Sequence, residues 1–546
     1  MGENCMKKGV KLFIAVITVC FCILAVGAQS KAAVKLDEKN FSQQLLNWFT
    51  WRDANEDGYL SDSELKKITE IHTEADESSE DDDYLEPEEN QADKTNESGG
   101  EREEKEDQDT VDLKGIQYCK YLKVFEASCL KIKNFEDLEK VTNLETIKLT
   151  SCKLECNELD FSKMSKLKEI ECIFFKVDNL KFGETNSVKK LIIELTGKKK
   201  LDLSKLKKLE YLALDDIGRS ELPSFKNNKN LKYIRLGGKK KAKSLDLRYN
   251  NKLNTVETNV YVKKMQISKN NTIEELSISK GINKLDFSRL NKTKSIYLIG
   301  YNRKVDVSKC KKLNSLNIKG KFTKLFLNQC TKLKTLIIEA PLTDIDLQKC
   351  SKLKMLIVEA PLKKLDLQKC TKLKTLIIEA PLTDINMEKC TDIEYLTINA
   401  PIEKLELEAY KKLRRVELLG IEGNTFYLSN NDNLKEVLFK KCNVKNIYVS
   451  DMSKMKNMSV SENDYLESVS LNNCNNIRYL NVHKCAAMKS LHVTPEIKIS
   501  KLTCEDSNGI LEKKEFDSDA MSEKVQNGTE YYFTDKTYDY YKFVID

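Results

Sequence analysis

The chain has 546 residues, 32% of them charged and 40% hydrophobic, with a formal net charge of +7. Its three histidines, His72, His483 and His492, form no H-E-x-x-H pair, and no G-x-S-x-G, Walker A or dinucleotide loop occurs. The common catalytic motifs are therefore excluded, and the chain is expected to bind rather than catalyse.

Residues 1–28 read as a secretory signal peptide. Lys7, Lys8 and Lys11 make a basic start, 12–26 is almost wholly apolar, and Val26-Gly27-Ala28 offers a small-residue cleavage site, with Ser30-Lys31-Ala32 as a second choice. An uncleaved N-terminal anchor is the alternative. No second run of spanning length follows, so the mature chain is expected to be secreted or at the cell surface.

Residues 36–73 form the next expected element. The segment 53–64 reads DANEDGYLSDSE and fits the EF-hand calcium loop. Asp53, Asn55, Asp57 and Glu64 stand at ligand positions 1, 3, 5 and 12. The carbonyl of Tyr59 stands at 7 and Ser61 at 9, and Gly58 supplies the turn. Oxygen ligands at these spacings suit one Ca²⁺. Phe41, Leu45 and Phe49 predict an incoming helix, and Leu65, Ile68 and Ile71 an outgoing one. A degenerate loop that keeps the turn but binds nothing is the alternative. A weaker echo at 504–515 begins with Cys and is read as chance.

Residues 74–109 hold 18 acidic and 3 basic residues, a net of −15. A run this acidic and this poor in apolar residues is expected to be a disordered linker. The segment 110–500 carries +27. Lysines such as Lys332, Lys352 and Lys372 dominate it. A solvated edge is the plain reading. The other is a surface for an anionic glycan or wall polymer, with the acidic run competing as a tethered decoy. No nucleic-acid recognition motif is present.

From 110 to 500 the chain repeats itself. TKLKTLIIEAPLTDIDLQKC begins at Thr331, and near copies begin at Ser351 and Thr371. Each copy carries L-x-x-L-x-I, as in Leu333, Leu336 and Ile338. The frame recurs toward the N-terminus at Leu313, Thr293, Ile273, Leu253, Leu231, Leu209, Val188, Leu167, Leu144 and Leu122. Toward the C-terminus it recurs at Ile393, Leu413, Leu434, Met455 and Ile477, with a final half-unit at Met488, Leu491 and Val493. This makes about 18 units of 20–23 residues. Such self-similarity means a solenoid, in which each unit buries its apolar face by stacking on its neighbours.

The frame, with Leu201-Asp202-Leu203-Ser204 after it and its partial copies at Leu245 and Leu365, resembles bacterial leucine-rich repeat proteins. The resemblance implies a horseshoe-type solenoid with a parallel β-sheet. Glu339-Ala340-Pro341 fills the turn where that pattern has Asn, so no continuous asparagine ladder is expected. An EF-hand-like helical segment before such repeats resembles the N-terminal cap of internalin-like secreted proteins. That implies a cap, with calcium in a structural rather than a sensory role.

Five cysteines, Cys310, Cys330, Cys350, Cys370 and Cys390, recur at a strict period of 20. Stacked strands hold side chains about 4.8 Å apart, whereas a disulfide wants Cβ atoms about 3.8 Å apart. The column is therefore read as buried thiols that do not cross-link. A pairing of Cys152 with Cys156 stays open. The Asp column (Asp286, Asp306, Asp346, Asp366) is read as turn chemistry.

Strand alternation puts Ile337, Ile357 and Ile377 in one outward column, Thr335, Met355, Thr375 and Tyr395 in a second, and Glu339, Glu359 and Glu379 in a third. This apolar stripe beside a carboxylate stripe is the candidate contact surface for a protein or glycan partner, in recognition or adhesion. A passive structural role at the envelope is the alternative. The tyrosine-rich stretch within 501–546 is expected to be a C-terminal cap.

Overall fold

The computed structural model describes residues 10–13, 33–75, 110–156, 158–177, 179–195, 201–215, 222–300, 304–493, 501–505, 530–534 and 540–544. The expected signal peptide (apart from Val10–Phe13), the acidic run from 76 onward, most of the expected C-terminal cap and the loop-like echo beyond 505 lie outside the described residues. The chain divides into two compact units, Met1–Asn271 and Thr272–Asp546. Both are parallel β-solenoids, with about 17 turns in all.

In the first unit the main sheet runs, strand by parallel strand, through Glu70–Ala75, Val124–Ser128, Thr146–Thr150, Glu169–Val177, Lys190–Leu195, Tyr211–Asp215, Tyr233–Ala242 and Thr255–Ile267. Val10–Phe13 pairs antiparallel with Glu70–Ala75. On the return side of each turn lie short parallel strands, such as Thr110–Asp112, Lys131–Lys133 and Lys153–Leu154.

In the second unit the main sheet starts at Glu275–Ile278. It continues through Ser295–Ile299, Ser315–Lys319, Thr335–Glu339, Met355–Glu359, Thr375–Glu379, Tyr395–Asn399, Arg415–Leu419, Glu436–Lys440, Asn457–Ser461 and Tyr479–His483. The return side widens into a four-stranded parallel sheet of Glu422–Ser429, Asn443–Ser450, Ser468–Asn472 and Ser490–Val493. Leu491 and Val493, counted as part of a final half-unit, thus belong to this second sheet. The next place in the main sheet is taken by Lys501–Glu505, with Glu530–Thr534 parallel to it and Tyr540–Val544 closing antiparallel.

The leading residue of every repeat, from Leu122 to Met488, is buried. Thr293 stands among them because its hydroxyl donates to Ile273 O at 2.9 Å, so the buried oxygen is satisfied. Pro341 works as expected of a residue with fixed φ: Leu342 N reaches back to Ala340 O at 2.7 Å in a three-residue turn, and Leu362 N repeats this with Ala360 O. The Asp column is turn chemistry. The Oδ1 atoms of Asp286, Asp306, Asp346 and Asp366 accept the N–H two residues on, at 2.9–3.2 Å.

The ladder column differs from expectation in a useful way. Asn186, Asn228 and Asn250 in the first unit, and Asn431 in the second, are buried, and each Nδ2 donates to two carbonyls of the preceding turn. In the second unit the same rung holds the five cysteines and Tyr410. Cys330 donates to Val307 O at 3.4 Å, Cys390 to Leu367 O at 3.3 Å, and the Tyr410 hydroxyl to Met387 O at 3.0 Å. All five thiols are free, as are Cys152 and Cys156. Burial pushes the thiols of Cys310, Cys330, Cys350 and Cys390 up to about 12. Cys129, by contrast, is disulfide-bonded.

Candidate recognition surface and calcium loop

The three outward columns form in register. Ile337 pairs with Ile357 and Ile357 with Ile377, and the column then passes to Thr397. Thr335, Met355, Thr375 and Tyr395 form the second column, and Glu339, Glu359 and Glu379 the third. The alternation that sends Leu336, Leu356 and Leu376 into the core leaves Ile337, Ile357 and Ile377 half-buried on the outer face. Met355 is half-buried beside them, and Tyr395 is 45% exposed. Glu339 is paired with Lys319 at 2.5 Å. Among the described residues Glu359 and Glu379 have no ion pair. The result is an apolar strip several turns long with free carboxylates along one side. Such a patch suits an interface core and its polar rim.

The helical segment is shorter than its apolar spacing predicts. Helix α1 spans Gln43–Thr50 and carries buried Leu45, Trp48 and Phe49. Helix α2 is one turn, Asp62–Leu65. The outgoing helix stops there, because Ile71 pairs with Phe125 in the first strand of the main sheet. The run Ile68-Thr69 and Ile71, Thr73 is β-branched, and such residues favour a strand when one face can be buried. The described residues thus hold few helices, and the outgoing helix expected from the spacing is a single turn.

The loop between them is nevertheless well tied. Asp53 and Glu64 are buried. The Asp53 carboxylate accepts from Asp57 N at 3.2 Å and Gly58 N at 2.8 Å. Glu64 accepts from Ala54 N and Ser61 N, both at 2.8 Å, and closes a capping box with Ser61. Asn55 donates to Asp57, whose other oxygen accepts from Tyr59 N. Gly58 sits at φ 77°, in the left-handed region the turn requires. Tyr59–Leu60 pairs antiparallel with Val34–Lys35. Among the described residues no three His, Cys, Asp or Glu side chains converge as a metal-holding group. An ion here would therefore rely on Asn55, Ser61 and the Tyr59 carbonyl as well as on the carboxylates.

Sequence reasoning missed how this segment docks. Gln44 brackets the edge strand Thr110–Asp112, donating to Thr110 O at 2.6 Å and accepting from Asp112 N at 2.9 Å. Asp62 meets Lys120 at 2.6 Å, Lys66 at 2.9 Å and the Tyr121 hydroxyl at 2.9 Å. Lys120, followed by Lys66 and Tyr121, holds the Asp62 carboxyl well below the usual carboxylate range. At Gly115 a Cβ would fall 2.5 Å from Asn40 O and from Phe41, so only glycine lets the segment sit this close. Charge pairs between residues some sixty positions apart leave no periodic signal to read.

Neither the known protein families nor the curated proteins give a match to this chain. Among solved structures it is similar to the functional domain of InlJ from Listeria monocytogenes, described as including a cysteine ladder. That similarity has 18% identity and a TM-score of 0.39 over 87% of this chain and 82% of that one. It is similar to a leucine-rich repeat protein of Leptospira interrogans, at 16% identity and a TM-score of 0.39 over 60% and 87%. It is also similar to the plant peptide hormone receptor RGFR1 in complex with RGF2, at 14% identity and a TM-score of 0.39 over 78% and 81%. Among the described residues no helix is long and apolar enough to cross a membrane.

Proposed function

We propose that this is a non-enzymatic recognition protein, secreted or held at the cell surface, that grips a protein partner on the outer face of its second unit. One observation carries the reading: Ile337, Ile357 and Ile377 stay on the outer face, in register, with Met355 and Tyr395 on one side and Glu359 and Glu379 on the other. An apolar strip of this kind, with Met and Tyr, has the composition of an interface core. The flanking free carboxylates suit a partner with basic residues along one edge.

The test is to pan a displayed peptide library against the full chain and against Ile357→Asp. Binders that hold the parent and lose the variant support the reading. Binders indifferent to Ile357→Asp, or none at all, leave a passive envelope role as the better account.

A second element of the proposal is one calcium ion at 53–64, held by Asp53, Asn55, Asp57, the Tyr59 carbonyl, Ser61 and Glu64. The bracing of Asp53 and Glu64 by backbone N–H groups supports it. The ion's work would be structural, because Asp62, inside the loop, ties the segment to Lys120 and Tyr121 of the first turn.

A further inference from the structure

One column, with its basic members exposed and Glu274, Asn314 and Glu394 half-buried, runs the length of the second unit at the position just before each main strand. It reads Glu274, Lys294, Asn314, Lys334, Lys354, Lys374, Glu394, Arg414, Lys435, Lys456 and Arg478. Each residue from Lys294 to Arg478 donates its backbone N–H to the carbonyl of the one before, so the stacking is continuous. Where the signs alternate, the column neutralises itself. Lys294 pairs with Glu274 at 2.7 Å, and Glu394 takes Lys374 at 2.6 Å and Arg414 at 3.4 Å. The first unit shows the same kind of pairing, with Lys168 on Glu145 and Lys232 on Glu210, both at 2.5 Å.

The central copies break this rule. Among the described residues Lys334 and Lys354 have no ion pair, and the neighbouring column repeats the pattern with Lys332, Lys352 and Lys372, all exposed and without an ion pair there. Farther on, Lys435, Lys456 and Arg478 stack without an acid between them. Like charges on adjacent strands destabilise a sheet, and the remedy used earlier in this chain, one Glu in every three turns (Glu145, Glu210, Glu274), is missing between Glu274 and Glu394. The unneutralised ridge is positive over several successive strands.

We propose that this ridge is a binding surface for an extended anionic polysaccharide, with the polymer laid across the strands and its sulfate or phosphate groups meeting one lysine row per turn. A lysine is a point charge that accepts either group without demanding a fixed geometry. Strands about 4.8 Å apart match charges set a sugar residue apart better than the denser charge of a bare phosphate chain. Thr335, Met355 and Thr375 follow Lys334, Lys354 and Lys374, and Tyr395 alone comes next in that column, so there is no run of aromatic faces on which successive bases could stack. The ridge borders the isoleucine strip, because Met355 and Tyr395 directly follow Lys354 and Glu394.

The test uses the full chain with dextran sulfate, inorganic polyphosphate and uncharged dextran, at low salt and at about 0.15 M. The expected result is salt-sensitive binding of dextran sulfate, weaker binding of polyphosphate and none of dextran. Lys354→Glu restores the alternation seen elsewhere, so it keeps the fold while weakening dextran sulfate about tenfold at low salt. Glu394→Lys joins the two basic runs and strengthens binding, and Ile357→Asn, which adds no charge, leaves it unchanged. Binding that ignores both charge variants, or no binding at low salt, overturns the proposal. Tighter binding of polyphosphate than of dextran sulfate overturns the polysaccharide assignment.

Discussion

The sulfhydryl of Cys390 lies 3.3 Å from the carbonyl oxygen of Leu367, the contact that Asn431 makes to Leu407 O at 2.8 Å in a later turn. The two side chains do the same job with different strength. Asn431 reaches a second carbonyl, Tyr410 O, at 3.2 Å, and its Oδ1 is left buried without a partner. A thiol is a weaker donor but strands no acceptor. The rung tolerates cysteine, asparagine and tyrosine, and also apolar residues such as Leu206, Leu290 and Met452. In the first unit, Asn228→Ala removes the second hydrogen bond that each of the carbonyls of Leu203 and Leu206 accepts and is expected to cost about 2 kcal/mol. Cys390→Ala removes a small apolar group and a weak bond, and is expected to cost about 1 kcal/mol. Urea midpoints of the two variants check the order.

Burial also makes the ladder thiols inert. Cys330 and Cys350 sit near 12 against an ordinary 9.0. The folded value is raised, so the stabilisation is complete below pH 9.0 and is lost as pH climbs from there toward about 12. Iodoacetamide at pH 8 is expected to spare all five ladder cysteines in the folded chain and to label them in urea. Mass spectrometry of the labelled peptides decides. Labelling of Cys350 without denaturant would refute the buried column.

The two faces of a central strand separate binding from folding. Ile357→Asp is expected to cost about 1 kcal/mol or less, the scale of strand propensity, and to abolish partner binding. Leu356→Asp, one residue away but pointing into the core, buries an unpaired carboxylate and is expected to prevent folding of the turn. Circular dichroism and thermal melts of both variants give the answer.

Docking of the N-terminal segment is expected to depend on pH in both directions. Asp62 lies below its ordinary 3.8 through Lys120 first, then Lys66 and Tyr121. Its contribution is full above 3.8 and is lost as pH falls below that value. Lys120 and Lys66 are raised above 10.5, chiefly by Asp62. Their contribution is full below 10.5 and is lost as pH rises through their folded values. Asp62→Asn should speed tryptic cleavage after Arg52 at neutral pH, and high salt should do the same to the parent. Equal cleavage rates would show that Gln44 and the packing at Gly115 suffice.

Calcium should raise the melting temperature of the parent and leave Glu64→Gln, which loses the bidentate ligand at position 12, unmoved. Titration calorimetry on the full chain gives the stoichiometry, expected to be one. The absence of heat, with no change on adding chelator, would mark the loop as a turn braced only by its own hydrogen bonds.

The solenoid was legible because stacking turns periodicity into structure. A residue that recurs every 20–23 positions must meet its own copy one strand away, so buried leucines, outward isoleucines and laddered thiols follow from spacing alone. The glutamate and lysine columns were legible for the same reason. What spacing cannot tell is which of two energetically close local structures wins. Ile68 and Ile71 fit a helix by period, yet Ile71 joins the sheet because Phe125 offers it a partner there. Leu491 and Val493 fit a main strand, yet they extend the second sheet. Pairings such as Asp62 with Lys120 and Gln44 with Asp112 connect residues with no periodic relation. Tertiary structure also decided which lysines are neutralised. Lys374 and Lys354 are equivalent in sequence, and only the placement of Glu394 on the next strand gives one of them a counter-charge.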